Sequence, residues 1–455
     1  MTNYLVNDTE LTSIAEAIRT KGGTSLSLSF PEGFVSAISD IATGGNGYTI
    51  DDFAEGKISG TVFGSNASVV KAYAFYNYTD LTSISFPNCT SIAGFAFYSC
   101  TGLTTANFPR CTTISNYAFS GCTNLTTVSF PSCTMIEGYA FSGCTRLTTA
   151  DFPSCTSIGG SAFRGCNSLA TASFSNCLTI GAYAFYSCTN LTTTSFPSCE
   201  TIGPYAFSGC TNLTSINFPN CTLISGFAFY GCTSLTIASF SNCLTIGGSA
   251  FYNCTSLATV SFPSCTAIGA SAFYGCSDLT TAIFPSCTTI GAYAFRGCTS
   301  LTTASFPSCT LIATYAFYGC TRLATISFPN CTSIGTYVFR DCTDLATVNF
   351  PNCASIASNA FYGCSDLTIA RFPKCNTIGA QAFRGCSNLI SLYLTSVSKV
   401  TTLTGGASSV FYSTPIGGYS AIAGQYGSVY VPQSLLTSFR TSSTWSTISS
   451  RIVGV

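Results

Sequence analysis

The chain has 455 residues, 28 of them cysteine and none histidine, and only 7% are charged, with 16 basic residues balanced by 16 acidic ones. Without an imidazole there is no Ser-His-Asp triad, no Cys-His pair and no His-containing zinc site, and a net charge of zero argues against nucleic acid, whose capture needs a basic surface. No apolar run approaches the roughly 18 residues of a membrane-spanning helix, so membrane insertion is not expected.

Residues 1–42 lie outside any repeat and read as a small helical module. Asp8 or Thr9 can cap a first helix carrying Leu11, Ile14 and Ile18 and stopped at Lys21-Gly22-Gly23. Pro31 can open a second one carrying Phe34, Ile38 and Ile41. A linker follows at 43–57, beginning in a Gly-rich joint. The polar first ten residues lack the basic-then-apolar pattern of a leader, so synthesis in the cytoplasm without a signal peptide is expected. Tyr4–Ile38 resembles the N-terminal module of tail-associated, host-recognition proteins of phages and prophages, and Tyr48–Ile58 is similar to the segment that follows it there. That resemblance implies docking to a virion or baseplate partner through residues 1–42, and a location on the virion, or outside the cell after lysis.

After a degenerate capping copy at 58–80, which keeps Ala74-Phe75 and has Tyr78 where a cysteine would stand, a 22-residue unit recurs 14 times over 81–388. All 28 cysteines lie in these units, two in each and 11 residues apart. With Leu81 as position 1, the apolar positions are 1, 4, 6, 9, 12, 16, 17 and 20, here Leu81, Ile84, Phe86, Cys89, Ile92, Ala96, Phe97 and Cys100. Alternation up to position 6 predicts a strand with one buried face, closed at position 7 by Pro87, which has no amide to donate. Small residues at positions 13 and 14 let the chain bend. A lone coil buries too little to offset the entropy of ordering it, so the coils must stack. The expected fold is a β-rich repeat solenoid of about 15 coils with one parallel strand per coil.

Positions 1, 4, 6 and 9 match L-x-x-L-x-L-x-x-N/C, and the run Ser157–Cys166 resembles the BspA-like leucine-rich repeats of bacterial surface and phage proteins, a likeness that extends over residues 58–394. It implies a leucine-rich-repeat-like solenoid. The match departs at position 11, usually Ser or Thr here with Ile following.

Two cysteines per coil form two columns, a cysteine ladder. They read best as small buried fillers with weak S–H donors. Disulfides between coils are within reach at the strand spacing, although side chains in register point the same way and a bridge would be strained. Metal binding lacks a C-x-x-C pair or a second ligand type, and no nearby group lowers a thiol pKa for nucleophilic work. No cofactor, metal or catalytic residue is expected.

Outward positions carry the functional signal. Positions 3 and 5 are mostly Thr and Ser, which favour strands and could order water. Position 15 is often aromatic, as at Tyr293, Tyr315 and Tyr337. Position 18 supplies the candidate binding residues Tyr98, Arg164, Tyr186, Tyr230, Tyr252, Tyr274, Arg296, Tyr318, Arg340, Tyr362 and Arg384. Tyr, Arg and Ser on a rigid frame are typical of binding surfaces, and tyrosine rings also stack on sugars; the alternative is that they only roof the core. Residues 165–277 carry a single charge, Glu200, a surface poorly protected against self-association.

Residues 389–455 read as a last strand and a C-terminal cap: Ser428–Val431 as a strand ended by Pro432, then one or two short helices whose Leu435, Leu436, Phe439, Trp445 and Ile448 seal the final coil. This segment resembles the closing module of BspA-like proteins. The expectation is a non-enzymatic, phage-encoded adhesin or tail-fibre-like receptor-binding protein, presenting a Tyr/Arg/Ser/Thr surface to a host glycan or surface protein. The alternative is a self-assembling structural protein whose low-charge solenoid packs against copies of itself as a homo-oligomer.

Overall fold

The computed structural model describes residues 60–63, 67–419 and 426–455. The helical module expected over 1–42 and the linker over 43–57 lie outside the described residues. The chain divides into two compact units, Met1–Cys177 and Leu178–Val455, built from the same coil.

The coil has three walls. The first is the expected strand, at positions 3–5: in the first unit Gly60–Phe63, Leu81–Ser85, Thr105–Asn107 and Thr127–Ser129 form a parallel sheet in 22-residue register, Ser83 facing Thr105. The degenerate copy enters this register through a bulge, since Gly60 pairs with Leu81 but Thr61 with Ser83. The second wall adds a two-residue strand at positions 11–12 that the one expected strand per coil does not include. Ser91–Ile92 pairs with Thr113–Ile114 in the first unit, and Thr289–Ile290 with Leu311–Ile312 in the second. Position 12 points inward at 0% exposure in Ile92, Ile114 and Ile312, which is why position 11 can vary.

The third wall, positions 14–20, contains no strand yet is bonded from coil to coil. Alternate amides reach the next coil, as Tyr293 N to Thr314 O at 3.0 Å, Phe295 N to Ala316 O at 2.7 Å and Gly297 N to Tyr318 O at 2.9 Å. The amides between them close tight turns, as Arg296 N to Tyr293 O at 3.1 Å. These turns need left-handed backbone at positions 15 and 19. Gly297 supplies it freely at φ 73°, whereas Tyr293 holds φ 61° against its own side chain. Such a bulky residue stays there because bonds to the coils on either side over-determine the backbone.

In the second unit the short strands run unbroken from Thr179–Ile180 to Thr402–Leu403, but the long-strand sheet is cut every three coils. Breaks follow Thr193–Ser195, Thr259–Ser261 and Thr325–Ser327, and in the first unit Thr127–Ser129. Beside the breaks the coil-to-coil bond from Thr148 N to Thr126 O, and from Thr280 N to Ala258 O, stretches to 3.4 Å. The residues at position 4 that face them, Val128, Thr194, Val260 and Ile326, are left half-buried where others at that position are covered.

Phenylalanine fills the interior. Position 17 stacks on itself, Phe273–Phe295 at 5.2 Å and Phe295–Phe317 at 5.1 Å, and meets position 6 edge to face, Phe295–Phe306 at 5.8 Å. All 28 cysteines are buried. Position 9 thiols donate within their own coil, Cys309 Sγ to Leu311 O at 3.2 Å, and position 20 thiols donate to the coil before, Cys298 Sγ to Phe273 O at 3.2 Å. The filler reading thus gains a hydrogen-bonding role.

At the C-terminal end of the second unit, Ser391–Tyr393, Ser428–Val431 and Ile452–Gly454 continue the parallel sheet. A helix at Leu436–Thr441 brings Phe439 against Trp445, and Trp445 also contacts Phe411 while its Nε1 donates to Thr401 O at 2.7 Å. Phe439, Trp445 and Ile448 are buried; Leu435 and Leu436 are only half-covered.

Candidate binding surface

The turn that points Phe at position 17 inward points position 18 outward, one residue on. In the second unit this produces a continuous column. Tyr230 stacks on Tyr252 at 5.2 Å and Tyr252 on Tyr274 at 4.6 Å. From there arginine alternates with tyrosine: Arg296 lies over Tyr274 and Tyr318 at 5.4 and 4.8 Å, Arg340 over Tyr318 and Tyr362 at 5.6 and 4.6 Å, and Arg384 over Tyr362 and Tyr412 at 5.7 and 4.8 Å. Each guanidinium carbon lies over a tyrosine ring on either side, the arrangement that favours a cation on an aromatic quadrupole.

A second column interlocks with the first. Tyr293, Tyr315 and Tyr337 at position 15 stack at 4.8 and 4.7 Å, Tyr315 meets Tyr318 edge-on at 5.8 Å, and Arg296 and Arg340 also touch Tyr293 and Tyr337 at 5.7 and 5.4 Å. The ring faces are therefore occupied by neighbours, and the surface presents edges, phenol hydroxyls and guanidinium N–H groups rather than open faces for sugars to stack on. Burial raises the Tyr252 phenol pKa, reinforced by the phenols of Tyr274 and Tyr230, so it stays a proton donor. Arg340 Nε is 3.3 Å from Asp341 Oδ2.

Eight of the eleven candidate residues share this column. Tyr98, in the first unit, stacks instead on Tyr76 at 5.1 Å, and Arg164 is exposed there. Tyr186 is separated from the run by Ser208, which is buried. Tyr412 belongs to the column but lies beyond the last 22-residue unit, so spacing carries no signal for it. The long-strand face of the second unit holds a smaller stack of the same chemistry, Arg371 over Tyr393 at 4.9 Å and Tyr393 on Tyr430 at 4.6 Å.

The thiols have no comparable reactivity. Burial pushes Cys155 and Cys265 up to about 11, and Cys221 to about 12, so these three are not thiolates at neutral pH. Among the described residues no helix is long and apolar enough to cross a membrane.

Stacked 22-residue coils with an inward Leu-x-x-Ile-x-Phe-x-x-Cys face define a leucine-rich-repeat solenoid. The BspA type leucine rich repeat region matches residues 51–170, 178–302 and 310–417, and the chain belongs to that family. Among solved structures it is similar to a leucine-rich repeat protein of Bacteroides ovatus, at 25% identity and TM-score 0.58 over 78% of this chain and 93% of that one. It is also similar to a leucine rich cell surface protein of Faecalibacterium prausnitzii, at 24% identity and TM-score 0.32 over 73% and 83%, and to a leucine-rich repeat protein of Eubacterium ventriosum, at 21% and 0.39 over 77% and 94%. No curated protein matches.

Proposed function

We propose that this chain is a non-enzymatic adhesin that presents the tyrosine–arginine column of its second unit to a host surface glycan or protein. The single observation behind this reading is the run from Tyr230 to Tyr412, in which eight side chains of the repeat are held edge-outward on a rigid, hydrogen-bonded wall. Pre-ordered Tyr and Arg side chains lose little rotamer freedom on binding, which favours recognition over roofing. The absence of histidine and the burial of the thiols support a role without catalysis. The N-terminal resemblance supports the finer version, a phage-encoded, tail-fibre-like receptor-binding protein that docks to a virion or baseplate through residues 1–42 and reaches the outside by lysis. A glycan and surface-protein array probed with the purified chain tests the binding role; a hit that R296Q and Y274A leave unchanged removes the column from it. Immunogold labelling of purified particles tests the virion location, and absence of label sinks that part alone.

The alternative of self-assembly is favoured by a different observation. Ile237, Leu223 and Leu244 are 50%, 41% and 49% exposed in a stretch where 201–277 carries no charge. Light scattering that grows with concentration and vanishes in L223K/L244K supports lateral packing; a concentration-independent mass excludes it.

A further inference from the structure

The part of the column from Tyr274 to Tyr412 differs from the all-tyrosine part before it in its strict alternation, and we propose that it is a register for a linear acidic polysaccharide in which every second sugar carries a carboxylate. This inference rests on the adhesive reading and names the ligand class for the same surface.

Arg296, Arg340 and Arg384 are each held between the rings of two column tyrosines, with Cζ 4.6–5.7 Å from the ring centroids. With a ring on either side along the column, each guanidinium has its remaining approach from solvent, where its planar N–H fork matches the two oxygens of a carboxylate. Clamping also removes in advance much of the side-chain entropy that an arginine otherwise loses on binding. Among the described residues, Arg296 and Arg384 have no carboxylate within ion-pair distance, and Arg340 engages Asp341 through Nε rather than through its terminal nitrogens. All three guanidinium groups therefore have donors to spare.

Spacing selects the polymer. The three cations recur every second coil, about 10 Å apart at a strand spacing of roughly 4.8 Å per coil. An extended, equatorially linked hexopyranose chain advances by close to one coil per sugar, so acid groups on alternate sugars meet alternate rungs. The neutral sugar between them lies against the phenol edge of Tyr318 or Tyr362, where hydroxyls can exchange hydrogen bonds. A chain with an acid on every sugar would set half its carboxylates opposite tyrosines. Single-stranded nucleic acid needs free ring faces on which to stack its bases, and here those faces are taken.

The test is a binding titration of the full chain with a hyaluronan decasaccharide as the alternating-uronate probe. Its carboxyl-reduced form, an oligogalacturonate and oligo(dT) are run beside it at the same ionic strength. The expected result is that the hyaluronan probe binds, that the carboxyl-reduced form does not, and that R296Q and R384Q each weaken binding roughly tenfold, the loss typical of one charge-assisted hydrogen bond. R322Q, which alters an exposed arginine off the column, is expected to bind as the parent does. Y318L keeps every charge but unclamps two arginines, and is expected to weaken binding while the chain remains fully folded at the assay temperature. No binding of the hyaluronan probe, equal or tighter binding of oligogalacturonate or oligo(dT), or indifference to R296Q and R384Q overturns the inference. A neutral glycan or a protein whose binding is lost in the same variants overturns the acidic polymer while keeping the adhesive reading; a surface that retains no array ligand at all sinks both.

Discussion

Phe295 and Arg296 are consecutive in the chain and belong to opposite sides of the same wall. Phe295 is fully buried between Phe273 and Phe317; Arg296 is half-exposed between Tyr274 and Tyr318. The same one-coil translation builds both columns, yet position 17 is Phe in every 22-residue unit while position 18 moves among Tyr, Arg and Ser. Inside, the rings must fill a fixed volume at close-packed density, so one residue type is required. Outside, stacking accepts any planar group, and the choice is left to whatever the surface meets. The contrast separates what the coil needs in order to stand from what it carries.

The largest effect that probes this contrast is alkaline unfolding of the inner columns. A thiol in the folded chain titrates well above its ordinary 9.0, at about 11 for Cys155 and Cys265 and about 12 for Cys221 and Cys243, with burial the leading cause. Between those values the unfolded chain has released protons that the folded chain still holds. Stability is therefore complete below pH about 9 and falls above it by about 1.4 kcal/mol per thiol per pH unit until the folded pKa is reached. Thermal midpoints should be level from pH 6 to 8 and collapse by pH 10.5. A level profile to pH 10.5 would mean that the thiols are not sealed in.

Next in size, Phe295→Ala should cost about 3–5 kcal/mol in denaturant unfolding, since the flanking rings cannot close the gap within a bonded wall. Trp445→Phe, which shrinks the ring that packs against Phe439 and Phe411 and deletes the bond to Thr401 O, should cost about 2–3 kcal/mol by the same measurement. The smallest effect belongs to the outer column: Arg296→Gln should cost no more than about 1 kcal/mol, the value of a partly exposed cation–π contact. If it cost as much as Phe295→Ala, the outer column would be part of the scaffold and the contrast would fail.

Much of the scaffold was legible in the residues. The 22-residue interval dictated stacking, the alternation ending at Pro87 located the long strand, and Pro432 with the apolar residues at 435, 436, 439, 445 and 448 marked a strand-and-helix C-terminal end, although Leu435 and Leu436 stay half-covered. The short strand was not, because two residues are too few to show a period. Nor was the left-handed backbone at position 15, since tyrosine there is a residue type that argues against it. The position-18 candidates could be named from spacing, but Tyr412 could not, because the chain between Arg384 and Tyr412 leaves the 22-residue count.

By itself the sequence determined which side chains pile into columns and which of those columns are dry, because a repeat of constant length forces equal positions into equal places. Only the tertiary structure decided what the columns show to solvent. Whether a ring offers its face or its edge depends on the neighbour one coil away, a contact between residues 22 positions apart that no local pattern encodes.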